Sequence, residues 1–116
     1  MNREIAERKG RRGEGWAALW FRLHGWRVLA RRLKTPRGEI DLVVRRGRTV
    51  AFVEVKWRGA AEGLDTAIDE YRLRRVAAAT EAVAHRYAGP ADSIRIDVLL
   101  LAPGRWPRHI VNAWQP

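Results

Sequence analysis

Gly38-Glu39-Ile40-Asp41-Leu42-Val43-Val44, followed after a short basic link at Arg46-Gly47-Arg48 by Thr49-Val50-Ala51-Phe52-Val53-Glu54-Val55-Lys56-Trp57, decides how this chain folds. Both stretches are rich in Val, Ile and Phe, which suit a pleated, half-buried surface, and the link is tight enough for an antiparallel hairpin. The acids inside these apolar strands carry the chemical information. A strand period of two puts Phe52, Glu54 and Lys56 on one face and Val53, Val55 and Trp57 on the other.

The position of Asp41 depends on register. A two-residue loop at Gly47-Arg48, with glycine first as a type II′ turn requires, pairs Arg46 with Thr49 and Asp41 with Glu54. A loop at Arg46-Gly47 sets Asp41 opposite Phe52 and one diagonal step from Glu54. A three-residue loop or a bulge would send Asp41 to the other face. In the first two registers the carboxylates converge at roughly 5 Å and repel unless a cation lies between them, a place suited to a hard divalent ion, with Lys56 adding positive charge beside it. The same spacing also fits an ordinary Glu54–Lys56 ion pair on a solvated sheet, which contributes little.

The rest of the chain is a basic single domain. Its 116 residues, 47% hydrophobic, support one core, and 23 Lys and Arg against 13 Asp and Glu give a formal charge of +10. Such a field attracts polyanions, nucleic acid first and an anionic membrane surface second. No apolar run approaches the roughly 18 residues of a spanning helix and no signal-peptide pattern is present, so no membrane partner is expected. The absence of cysteine removes thiol chemistry and fits a reducing cytoplasm. The three histidines lack metal-pair spacing and no glycine-rich phosphate loop occurs.

In chain order, residues 1–12 carry five basic side chains, including Arg11 and Arg12, and read as a mobile or marginally helical arm ahead of a single domain over residues 13–116. A helix is expected from about Gly13 to His24, burying Trp16, Leu19, Trp20 and Leu23 and ending at Gly25. Glu14 in its first turn favours the helix dipole. Trp26 to Arg32 reads as a strand with Trp26, Val28 and Ala30 on one face. A basic loop with Arg31, Arg32, Lys34, Pro36 and Arg37 then leads to the hairpin. Past Trp57-Arg58-Gly59, a second helix is expected from about Leu64 to Tyr87, with Ile68, Tyr71, Val76, Ala79 and Val83 as its apolar stripe and Arg72, Arg74 and Arg75 as a basic edge. Ser93 to Leu101 is a clear strand in which Asp97 has the setting of a structural ion pair or loop cap. His109 to Trp114 closes the chain as a short strand. This order indicates an α/β sandwich around a mixed sheet. Trp57 and Trp106 have loop-like settings that would suit stacking on unpaired bases.

Asp41 followed by Glu54-Val55-Lys56 resembles the Asp…Glu-x-Lys core of restriction-endonuclease-like nucleases. Gly38 to Val43 with Phe52 to Lys56, Gly10-Arg11-Arg12-Gly13-Glu14, Arg95-Ile96-Asp97-Val98 and His109 to Ala113, in that order, resemble the YraN-like family of bacterial proteins over most of the chain. The resemblance implies a restriction-endonuclease-like sandwich, a central mixed sheet flanked by helices, related to archaeal Holliday-junction resolvases. It implies a Mg²⁺- or Mn²⁺-dependent DNA endonuclease, with Asp41, Glu54 and the Val55 carbonyl holding the metal, Lys56 in catalysis and Glu14 completing the cluster directly or through water. Arg11, Arg12, Arg31, Arg32, Lys34, Arg37 and Arg58 would bind the nucleic acid. The chain departs from the family at Asp69-Glu70-Tyr71, where a Lys-Gln pair is expected, so a nucleic-acid-binding module without turnover is the competing expectation. Whether two copies pair to cut two strands is left open.

Overall fold

A computed structural model describes residues 3–57 and 70–114, with side chains from residue 13 onward. Helix α1 spans Arg3–Leu23, strands β1, β2 and β3 span Arg27–Thr35, Gly38–Arg46 and Thr49–Trp57, helix α2 spans Glu70–Val83, and strands β4 and β5 span Ser93–Leu101 and Arg108–Ile110. The strands form one sheet in sequence order, antiparallel except for the parallel β3–β4 pair. That parallel pair requires a crossover, and α2 lies within it. The result is the expected α/β sandwich, with one helix on each face of a mixed sheet.

At its turn the hairpin has the first of the expected registers, but the ladder ends before the Asp41–Glu54 pair which that register would form. Arg46 pairs with Thr49 and Leu42 with Val53, and Gly47 has φ +61°, as the first position of a type II′ turn requires. The regular ladder stops at Leu42. Ile40 and Val43 both join the core on the α2 side of the sheet although an odd number of steps separates them, so β2 changes phase around Asp41.

Two cores flank the sheet. Phe52, Val98 and Leu100 meet Leu73, Val76, Ala79 and Val83 of α2 on one side, while Val44, Val53 and Leu99 meet Ala17, Ala18 and Phe21 of α1 on the other. The buried stripe of α1 is therefore Glu14, Ala17, Ala18 and Phe21. This corrects the expected stripe: Trp16, Leu19 and Leu23 are exposed and Trp20 is half-buried. Both stripes have the same i, i+3, i+4, i+7 spacing, and the alanines win because they let the helix approach the sheet closely. At Gly13 the approach is such that an added Cβ would lie 3.8 Å from both Val55 and Trp57 side-chain atoms. The helix also begins at Arg3 rather than Gly13, since Glu, Arg, Lys and Ala propagate a helix well. Gly25 ends it as expected. The Trp26 N–H donates to Phe21 O at 2.9 Å and the Gly25 N–H to Arg22 O at 3.2 Å, the two bonds of a Schellman motif.

The expected basic loop is also corrected. Lys34 lies inside β1, which pairs with β2 from Arg27↔Arg45 to Thr35↔Gly38 and closes on a Pro36-Arg37 turn. Thr35 Oγ1 donates to Gly38 O at 2.7 Å and accepts the Arg37 N–H, turn chemistry that replaces loop length. A bulge between Val28 and Ala30 moves Ala30 to the α2 core while Trp26 and Val28 stay on the α1 side, so these three do not share a face. In α2, Tyr71 is exposed and Leu73 is buried in its place; Ile68 lies outside the described residues.

Asp97 has the structural role expected. It is fully buried, receives Arg95 and the Asn112 N–H, and pairs with His109 Nε2 at 2.7 Å, fastening β5 and the following turn to β4. Phe21→Ala should lower stability by about 3–5 kcal/mol, whereas Leu23→Ala, two residues along the same helix, should change it by less than about 0.5 kcal/mol in dilute urea titrations. Equal effects would mean the helix faces the sheet differently.

Candidate metal centre

The phase change in β2 creates the site. Where the ladder to β3 ends, Asp41 Oδ2 accepts the Val55 N–H at 2.7 Å, so a side chain satisfies a backbone donor that a paired strand would otherwise take. The N–H and C=O of one strand residue point to the same edge. The Val55 carbonyl is thereby directed to the edge where Asp41 lies.

Glu54 is next to it on β3 and is only 5% exposed. Its carboxyl lies within hydrogen-bonding reach of Asp41, an arrangement that two ionised groups cannot share without a proton or cation between them. Burial, and then the Asp41 charge, push the Glu54 pKa up to about 7, against the opposing charges of Arg72 and Lys56. Burial also raises Asp41, although the Val55 N–H favours its ionised form.

One cation reaches the pair from α2. Arg72 Nη2 lies 3.1 Å from Glu54 Oε1, but without hydrogen-bond geometry, so this buried oxygen has an ion-pair neighbour and no hydrogen-bond donor. Arg72 and Arg75 join Gly38, Glu39, Asp41 and Glu54 around a cleft of about 520 Å³. Neither arginine was among the site residues expected from sequence. Their signal was the basic edge of the second helix, but its alignment over Glu54 depends on how the crossover packs.

Glu14 is held elsewhere. Its Oε1 accepts Arg31 Nε at 3.2 Å and its Oε2 lies 3.6 Å from Arg32 Nε. Burial raises its pKa, the two arginines pull it back, and the Asp41 charge adds a smaller upward push. Glu14 is thus within electrostatic reach of Asp41 but not gathered with it, and among the described residues no three His, Asp or Glu side chains converge on one point. Arg31 and Arg32 are partly committed to Glu14. Lys34 and Arg37 lie along β1 and its turn, Lys56 follows Glu54 on β3, the side chains of Arg11 and Arg12 are outside the described set, and so is Arg58.

The donor set suits a hard divalent cation. Two carboxylates, one with an orphaned buried oxygen, and a backbone carbonyl leave positions for water and phosphate, as Mg²⁺ sites do.

The sequence profile of the uncharacterised protein family UPF0102 matches residues 13–101. A UPF0102 protein of Erythrobacter litoralis is 68% identical over 116 residues and 100% of both chains. One from Sphingopyxis alaskensis is 66% identical over the same span, 100% of each chain. One from Caulobacter vibrioides is 49% identical over 117 aligned residues, 98% of this chain and 93% of its own.

The raised Glu54 pKa sets a pH dependence. A carboxyl whose folded pKa exceeds its unfolded value binds more protons when folded, so its penalty is absent below about 4.5 and complete above about 7. Stability should therefore fall by roughly 1–3 kcal/mol as pH rises through that window, and Glu54→Gln should flatten the change. Asp92, which accepts two hydrogen bonds from Arg45, and Asp97 have lowered pKa values and act only below the ordinary aspartate value of 3.8. Urea midpoints across pH 4–8 test this; an unchanged slope in Glu54→Gln would place the titration elsewhere.

Proposed function

This chain belongs to the UPF0102 family of YraN-like proteins, and from the chemistry of its acidic cleft we propose that it is a Mg²⁺- or Mn²⁺-dependent endonuclease acting on DNA phosphodiester bonds. The observation that carries this reading is the pairing of a half-buried Asp41 with a buried Glu54, one of whose oxygens is unsatisfied, in a cleft also lined by Arg72 and Arg75. Acid for a cation and arginine for a phosphate stand on opposite sides of one cleft.

Asp41, Glu54 and the Val55 carbonyl would hold the metal. When bound, it would supply Lewis-acid polarisation of a phosphoryl oxygen and a lowered pKa for a ligated water. Lys56, one position beyond the ligating strand segment, orients the attacking water and offsets charge that develops on the phosphoryl oxygens. Arg72 and Arg75 neutralise the incoming phosphate. The half-exposed Arg72 guanidinium would be free for that task where a divalent ion offset the charge of Glu54. Lys34, Arg37 and the outer nitrogens of Arg31 and Arg32 extend the contact along the backbone, sequence-independently. Glu14 steadies Arg31 and Arg32, and a direct part in the cluster requires those ion pairs to open.

A binding module without turnover is the second reading, favoured by Arg72 already neutralising Glu54. One set of proteins separates the two. Asp41→Asn and Glu54→Gln should each lose nicking in Mn²⁺ by on the order of 10²-fold or more, yet bind DNA in EDTA as tightly as wild type or more tightly, because each removes negative charge beside a phosphate. A pure binding module has no nicking to lose, and a joint fall in melting temperature and affinity would make the acids fold-stabilising partners of the arginines.

Lys56→Ala should remove cleavage and change binding by less than about threefold, since one cation contributes little to a field of this size. Nicking at the wild-type rate would take Lys56 out of the mechanism. Binding itself should weaken steeply with salt, with a strongly negative slope of log affinity against log salt; a slope near zero in filter-binding titrations would argue against a phosphate-dominated interface.

A further inference from the structure

The side of α1 that turns away from the sheet is apolar, and nothing in the proposed chemistry uses it. Trp16, Leu19 and Leu23 are 60, 43 and 75% exposed, and Trp57 and Trp106 are 40 and 91% exposed. All five line one groove of about 660 Å³ between α1 and the Pro103–Pro107 segment. This is the surface on which the sequence predicted a buried stripe. The apolar pattern was read correctly, but among the described residues none covers it.

We propose that this groove is the interface of a symmetric homodimer. Three features of the surface select a second copy as the occupant. With full aromatic and aliphatic side-chain areas of about 150–250 Å², the exposed fractions of the five residues amount to on the order of 600 Å², near the ~800 Å² each partner contributes to a standard interface. Trp16, Leu19, Trp20 and Leu23 have the spacing of a helix–helix seam, which suits α1 packing against its own copy across a two-fold axis. Trp106, almost wholly exposed on the rim, supplies a knob beside the hole, and a patch holding both is self-complementary under two-fold symmetry.

Charge argues against nucleic acid in this groove. Among the described lining residues Arg105 is the single charged side chain, in a chain with 23 Lys and Arg. A strand lying here would have bases to stack but little to hold its phosphates. Two copies at +10 each repel at long range, so the dimer should tighten as salt screens them, the opposite of phosphate binding.

Sedimentation equilibrium of the full chain, free of DNA, at about 50 and 500 mM NaCl tests this, with Debye lengths of roughly 14 and 4 Å. Wild type should dimerise at micromolar concentration and more tightly at the higher salt. Trp106→Ala should weaken dimerisation at least tenfold, as loss of an aromatic anchor that fills a partner's pocket does, and Leu23→Glu should leave a monomer. Both side chains are outside the two cores, so circular dichroism and dilute urea melts should match wild type. If Leu23→Glu melts early, Trp16→Arg takes its place. A wild type that stays monomeric throughout overturns the proposal, as does a dimer indifferent to these substitutions. Tryptophan quenching by oligothymidylate on a monomeric wild type, lost in Trp106→Ala, would overturn it in favour of base stacking.

Discussion

Two carboxyl groups forced side by side in a low-dielectric pocket are the constraint on which the rest of this structure depends. Like charges there cost far more than in water, and each neighbouring feature reduces that cost. The Val55 N–H takes one oxygen of Asp41 at 2.7 Å, Arg72 approaches Glu54 from the facing helix, and the raised pKa of Glu54 lets a proton stand between the acids near neutrality. The β2 ladder yields to this arrangement. Its regular pairing with β3 ends at Leu42↔Val53, because a strand that continued in register would leave no gap for Asp41 to reach across.

A second charge system protects the first. Glu14 is as deeply buried as Glu54, and a third bare carboxylate next to the pair would raise the electrostatic cost again. Arg31 and Arg32 hold it instead. Arg32 adopts φ +51° to do so, an uncommon conformation for a residue with a Cβ and one that a regular edge strand would not contain. Fold and site thus compete at two places, the phase change in β2 and the strained Arg32, and both lie beside acids.

Much of this was legible in the residues and some was not, for physical reasons. The hairpin could be read, with two registers left open that both bring Asp41 towards Glu54, because Gly47 permits a two-residue turn at either of two places and a one-residue slip moves a whole strand face. The convergence of Asp41 and Glu54 followed from either of them. Gly25 and the strand around Asp97 were equally readable, since a helix stop and a period-two run are local signals. The face of α1 was not. Trp16-Leu19-Trp20-Leu23 and Glu14-Ala17-Ala18-Phe21 have identical periodicity, and the choice between them depends on how closely the helix must approach the sheet. Larger side chains suggested the wrong stripe because hydrophobicity rewards size while close packing against a sheet rewards its absence. Arg72 and Arg75 were missed for a related reason: a crossover helix can be placed over many parts of a sheet, and only its packing shows which residues look down on Glu54.

The cost of the site also bears on why Arg72, rather than an apolar residue or a lysine, sits over Glu54. A fully hydrogen-bonded arginine would be the stable solution, a bidentate pair that satisfies both carboxylate oxygens. The observed contact is an ion pair that leaves Glu54 Oε1 without a hydrogen-bond donor, and the Arg72 side chain remains more than half exposed. Such a pairing offsets enough charge for the pocket to fold but holds the acid too weakly to block a cation with better geometry. The long guanidinium arm can leave without unpacking α2, whose anchorage comes from Leu73, Val76, Ala79 and Val83. Compensation that is incomplete and mechanically independent of the core is what the proposed metal site would need in order to exist without an ion and to accept one without unfolding.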